Sequence, residues 1–156
     1  MSRDALFRQA AATLGCSFDG EIKIGGNYVP LVRDGATVYV SGQVPRVGSD
    51  VVVTGRAGGE ASLAEAQRAA RICVLRALAL LQRELRSLDH VRQILRVTVY
   101  VQCMPDFTQH SEVADGASEL LFSILDAAGA HTRTSVGVLQ LPKNATVELD
   151  LIAAVV

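Results

Sequence analysis

Tryptophan is absent from this chain, and aromatic residues of all kinds make up only 4% of its 156 positions. Basic runs are missing too: 15 Lys and Arg stand against 16 Asp and Glu, for a formal net charge of −1. Without a cationic stripe there is no electrostatic warrant for nucleic-acid binding, so an RNA or DNA partner is not expected. Apolar residues reach 49%, yet they come in short periodic runs broken by charge, none long enough to span a bilayer. The N-terminal Met1-Ser2-Arg3-Asp4-Ala5 has no apolar signal core. Cys16, Cys73 and Cys103 are odd in number and widely spaced, which suits a reducing cytoplasm better than a disulfide framework. No His or Cys pair has metal-ligand spacing, so no metal is expected. Gly55-Arg56-Ala57-Gly58-Gly59 lacks both the lysine-hydroxyl end of a phosphate loop and the dinucleotide glycine spacing, and reads as a loop.

What is present suits one domain over residues 1–156, with residues 1–20 as an N-terminal helical extension. Leu6, Phe7, Ala10 and Leu14 share one side of a helix that Gly15 would end. Residues 28–33 and 37–41 predict a hairpin over Asp34-Gly35, and 51–54 a short third strand. Ser62-Leu63-Ala64-Glu65 is a capping-box start for a helix to about Leu85, with Ala66, Ala70, Cys73, Ala77, Leu80 and Leu81 on its apolar face. A β-branched strand follows over 91–103, then a helix over 111–128 closed by Gly129. The order βββ-α-β-α-ββ predicts an α+β architecture: a mixed six-stranded sheet with two helices on one face, plus the extra N-terminal helix. Ile152, Ala154 and Val156 fall on the opposite face, where an apolar patch predicts an interface.

The last quarter carries charge on otherwise apolar strands: Arg133-Thr134-Ser135-Val136-Gly137-Val138, then Leu141-Pro142-Lys143-Asn144, then Val147-Glu148-Leu149-Asp150. A charge on a mostly buried strand must be paired, ligand-bound or reachable by water. As a hairpin turning at Pro142-Lys143, the segment pairs Gly137 with Glu148, Ser135 with Asp150 and Arg133 with Ile152. Arg133, Ser135, Glu148 and Asp150 then share one face. In that register Glu148 lies four residues along the strand from Arg133's partner, roughly 13 Å away. A bulge, or a pocket closed across a subunit boundary, is needed to join them, and the second is favoured.

Three motifs together resemble the RidA/YjgF family of enamine and imine deaminases, also labelled L-PSP endoribonuclease-like or translation-inhibitor proteins. They are Gly26-Asn27-Tyr28 with Gly35 and Val40-Ser41-Gly42-Gln43-Val44-Pro45; Val97-Thr98-Val99-Tyr100-Val101 with Asp106-Phe107; and Arg133, Ser135, Leu141-Pro142 and Val147-Glu148-Leu149. The resemblance implies a chorismate-mutase-like layout and a homotrimer with sites between subunits. It implies Arg133 and Glu148 as catalytic residues, with Tyr28, Ser41, Ser135 and Asp115 around the substrate. Ser135 stands where many members carry cysteine. Asp115 falls about where an asparagine is usual, and an acid there repels an anionic substrate. On residue type alone the favoured readings are Arg133 as a strand arginine tied to a carboxylate, Asp150 as a subunit salt bridge, and His131 as a hydrogen-bonded strand histidine.

The implied reaction is hydrolysis of an enamine or imine of a 2-amino acid to ammonia and a 2-keto acid. Arg133 would clamp the carboxylate and Glu148 would position and deprotonate water. No cofactor is needed, because an iminium is already electrophilic. A small-ligand-binding or regulatory trimer using the same pocket is the alternative, and an endoribonuclease is disfavoured by charge.

Overall fold

The computed structural model describes all of residues 1–156. Its strands are β1 (Leu31–Asp34), β2 (Thr37–Gln43), β3 (Arg46–Val47), β4 (Asp50–Val51), β5 (Val91–Gln102), β6 (Thr132–Val138) and β7 (Val147–Val155). Five form one mixed sheet in the order β1-β2-β7-β5-β6, and β3 and β4 make a separate ribbon. Helices α2 (Leu63–Leu85) and α3 (His110–Leu125) cover one face, and α1 (Arg3–Thr13) packs on both helices. The layering is the expected α+β arrangement, with five strands instead of six. Residues 51–54 do not add a strand, because β1 already occupies the free edge of β2. Thr54 bridges Ala145, and the Thr146 N–H donates to the Val53 carbonyl, so this segment caps the start of β7.

Local chemistry explains the helix ends. Ser2 caps α1 by accepting from the Ala5 N–H, and Gly15 leaves the helix at φ +68°. Both halves of the capping box form at α2, between Ser62 and Glu65. Sheet on one side and helices on the others bury α2 on every side from Ile72 to Leu81, Arg76 included. Asp4 accepts from the Ser87 hydroxyl, the Leu88 N–H and Gln82, which fixes α1 to the end of α2. Phe7 and Ala11 thereby join the same apolar cluster as Ile72 and Leu121.

The terminal hairpin does not form. β6 runs parallel to β5, β7 runs antiparallel to β5, and β5 lies between them. Val97 is flanked by Arg133 and Leu151, Val99 by Ser135 and Leu149, and Tyr100 by Val136 and Glu148. Because side chains alternate along each strand, Arg133 and Ser135 face the helices while Glu148 and Asp150 face the open side. The shared face read from the sequence is therefore wrong, and the reason is the partner strand. The twelve-residue β5 offers two edges to β6 and β7, and the 142–144 turn spans it instead of closing a two-residue loop. Buried Gln102 at the end of β5 holds that turn, donating to Asn144 and accepting from the Leu141 N–H.

α2 and α3 meet closely at Gly116, where an added Cβ would lie 2.7 Å from the Gln67 carbonyl oxygen. Backbone cannot yield as a side-chain end can. Gly116→Ala is expected to destabilise the fold by about 1–3 kcal/mol, read by denaturant unfolding.

Candidate functional site

The Ser41-Gly42 segment of β2 carries one more residue than β7 does opposite it: Val40 pairs with Leu151, and Gln43 with Leu149. This bulge changes which way each following side chain points. Gln43 turns inward, where it is buried and accepts from Arg76 Nε at 3.1 Å. Gly42 is left against Glu148, and a Cβ there would sit 2.8 Å from the Glu148 carboxylate. Glycine at this position makes room for the acid.

Glu148 is half-buried and accepts no hydrogen bond from the protein. Burial, reinforced by neighbouring Asp150, pushes its carboxyl above the ordinary range. Asp150 is also raised by burial, offset in part by Tyr100, Arg96 and Thr98. Glu148 lines a cavity of about 190 Å³ together with Tyr28, Gly42, Gln43, Arg46, Arg76 and Pro142. Ser41 does not line it. Its hydroxyl donates to the Val29 carbonyl at 2.9 Å and its N–H to the Pro30 carbonyl, which holds the Tyr28 segment in place.

Arg133 lies elsewhere, bonded to α3. Its guanidinium reaches Asp115 at 2.9 Å, Ser118 Oγ at 2.9 Å and Ser111 Oγ at 2.8 Å. Ser118 also meets His131 Nε2 at 2.8 Å, and His131 Nδ1 faces the Gly129 carbonyl at 2.6 Å. Nδ1 can only donate to that carbonyl, and with Ser118 Oγ at Nε2 both ring nitrogens have partners. Tyr28 and Glu148 thus share one cavity. Arg133, Ser135 and Asp115 do not reach it within the chain.

Arg76 was not identified from the sequence. Its signal was an arginine on the apolar stripe of α2, three residues after Cys73 and four before Leu80. It is 3% exposed and donates to Gln43, to the Arg46 carbonyl at 2.9 Å and to the Lys23 carbonyl at 2.7 Å. Burial lowers its pKa. No group of His, Cys, Asp and Glu is arranged to hold a metal ion, and no helix is long and apolar enough to cross a membrane.

The family described as Endoribonuclease L-PSP matches residues 19–155. Protein TCP17 of Trypanosoma cruzi is 41% identical over 125 residues, covering 80% of this chain and 78% of its own. Among solved structures, Atu1372 of Agrobacterium tumefaciens, described as of unknown function, superposes with a TM-score of 0.88 at 33% identity, covering 99% of this chain and 96% of that one. The YjgF gene product of E. coli superposes with a TM-score of 0.57 at 24% identity, covering 83% and 88%. The first superposition spans α1 as well as the sheet.

A carboxyl raised on folding keeps its proton where the unfolded chain has released it, so stability falls as pH rises from the ordinary carboxylate range through the raised value. Glu148→Gln removes that cost. Its melting temperature should exceed wild type at neutral pH, and the gain should vanish below about pH 4, where the free acid is protonated. Scanning calorimetry at both pH values checks this.

Proposed function

The chain belongs to the endoribonuclease L-PSP family, which includes YjgF and the Rid proteins, and from that premise we propose that it hydrolyses enamine or imine forms of small 2-amino acids. The observation that supports this most is Glu148, an acid without a protein donor, raised by burial, at the wall of a small cavity. A general base works best with its pKa near the working pH, and this environment moves a carboxylate that way. Water held by Glu148 attacks the iminium carbon while Glu148 takes its proton. Glu148 then returns that proton to nitrogen, the C–N bond breaks as the carbonyl forms, and the hydroxyl proton passes to the departing ammonia, leaving a 2-oxo acid and ammonium. No cofactor enters these steps, because the iminium carbon is already electrophilic.

The assembly proposed is a homotrimer. Tyr39 and Val136 are exposed on the sheet face that no helix covers, beside half-buried Ile152. An apolar surface of this kind is commonly closed by another copy. Across such a boundary Arg133 of one copy can approach the Glu148 cavity of the next, with Ser135 and Asp115 beside it. It then has to share its guanidinium with Asp115. That pairing favours a second reading, a binding or regulatory trimer without turnover. Charge balance and the lack of a basic run weigh against an RNase.

Freshly generated 2-aminoacrylate should release ammonia faster with the protein than without it. Glu148→Gln should lower kcat by roughly 10²–10⁴-fold while the fold is kept. Saturable binding of the 2-oxo acid product with no ammonia release selects the regulatory reading. Analytical ultracentrifugation at micromolar concentration should give the mass of three chains, and a single-chain mass overturns the assembly.

A further inference from the structure

Cys103 and His110 form a pair that the Glu148 chemistry does not use. Cys103 Sγ lies 3.5 Å from His110 Nε2, within hydrogen-bond reach of a sulfur. Seven positions separate the two in sequence, and the turn in which the Phe107 N–H donates to the Met104 carbonyl brings them together. Both atoms sit over Gly137 of β6. A Cβ there would fall 2.9 Å from the sulfur and 2.7 Å from the nitrogen, so glycine leaves the space in which the two side chains meet. The Phe107 ring packs edge to face on the imidazole, with centroids 5.5 Å apart and planes at 84°.

The pair opens onto a cavity of about 690 Å³. Small-molecule sites run to roughly 300–1,000 Å³, so a ligand of that class fits. No residue of its wall lines the Glu148 cavity of the same chain. Cys16 and Cys73 are buried, whereas Cys103 is partly exposed. Apart from Cys103, the charged or titratable residues of the wall are Arg56 and His110. The Arg56 side chain reaches the site, since its Nη1 donates to the Cys103 carbonyl at 3.1 Å. Burial raises the Cys103 pKa, and the Arg56 charge opposes that rise. At rest the sulfur is therefore a protonated thiol, and a base must take its proton before it can react. His110 is placed to be that base.

We infer that Cys103, with His110 as its base and Arg56 as its cation, is a nucleophilic thiol site for small anionic disulfides. His110 Nε2 takes the Cys103 proton, and the thiolate attacks one sulfur of the disulfide. The bond from Cys103 to that sulfur forms as the disulfide S–S bond breaks, and the departing thiolate takes the proton back from His110. The products are a mixed disulfide on Cys103 and one free thiol, and a second small thiol reverses the exchange by the same path. A carboxylate on the disulfide finds Arg56 on the wall and no acid beside it. Glu60 accepts from the Arg56 backbone N–H and makes no ion pair with the guanidinium. Phe107, Val138 and Leu139 give the rest of the molecule an apolar wall. This site does not rest on the deaminase reading.

Stopped-flow thiol titration of the whole protein with dithiobis(nitrobenzoate), an anionic disulfide, and with the uncharged dithiodipyridine tests this. A single thiol per chain should react fast in the native protein, and Cys103→Ser should remove that phase while the buried Cys16 and Cys73 stay slow. His110→Gln should slow the fast phase at neutral pH by about tenfold, the room left when a free thiol is only a few per cent ionised. The pH profile separates a base from a structural part. Wild type should level off at a lower pH than the variant, whose rate follows the ionisation of the thiol alone. Arg56→Gln should slow the nitrobenzoate disulfide several-fold more than the dipyridine. Should His110→Gln fail to fold, Gly137→Ala, whose Cβ enters between the two side chains, should slow the fast phase and shift its profile to higher pH. The inference is overturned if Cys103 reacts no faster than Cys16, if the His110 or Gly137 variant keeps the wild-type rate and profile, or if Arg56→Gln slows both disulfides equally.

Discussion

One extra residue in β2 sets the geometry on which the cavity depends. Without the Ser41-Gly42 bulge, strand alternation would carry Gln43 to the open face and away from Arg76. With it, Gln43 turns inward as an acceptor for a buried guanidinium, and Gly42 offers the Glu148 carboxylate a surface without a side chain. A local irregularity of the sheet thus places an acid and a cation from its two sides around one space. The Ser-Gly-Gln string is understood in these terms: Ser41 holds the Tyr28 segment, Gly42 admits Glu148, and Gln43 fixes Arg76.

Charge is distributed unevenly between the two sides of the sheet. On the helix side Arg133, Asp115, Ser111, Ser118 and His131 form a closed set in which every group has a partner. Such a network joins β6 to α3 and stiffens the edge of the sheet. Around the cavity the pattern is reversed. Glu148 has no donor, Arg76 has no anion, and Asp150 raises the pKa of the acid beside it. Unmet charge of this kind costs stability.

Much of the architecture was legible in the chain. Ser62 with Glu65 marked the start of α2, Gly15 the end of α1, and the β-branched run from Val91 the long strand β5. Each is a local signal, carried by backbone donors, side-chain caps and periodicity within one element. Glu148 could also be singled out, since an acid on an apolar strand is conspicuous wherever that strand pairs. Arg76 was visible in principle as a cation on an apolar helix stripe, but only its surroundings gave that position a meaning.

Sequence alone determined the three helices, the capping box of α2, the apolar faces of the helices and the five strands of the main sheet, though not the β3–β4 ribbon. Tertiary structure decided which strands are neighbours. Two strands joined by a Leu-Pro turn read as a hairpin, and nothing local to that turn reveals that β5 enters between them. Pairing is fixed by the burial of β5 on both edges and by Gln102 holding the turn across its end. That choice sends Arg133 and Glu148 to opposite faces, because a residue's face depends on its register against the partner strand, which is a long-range property.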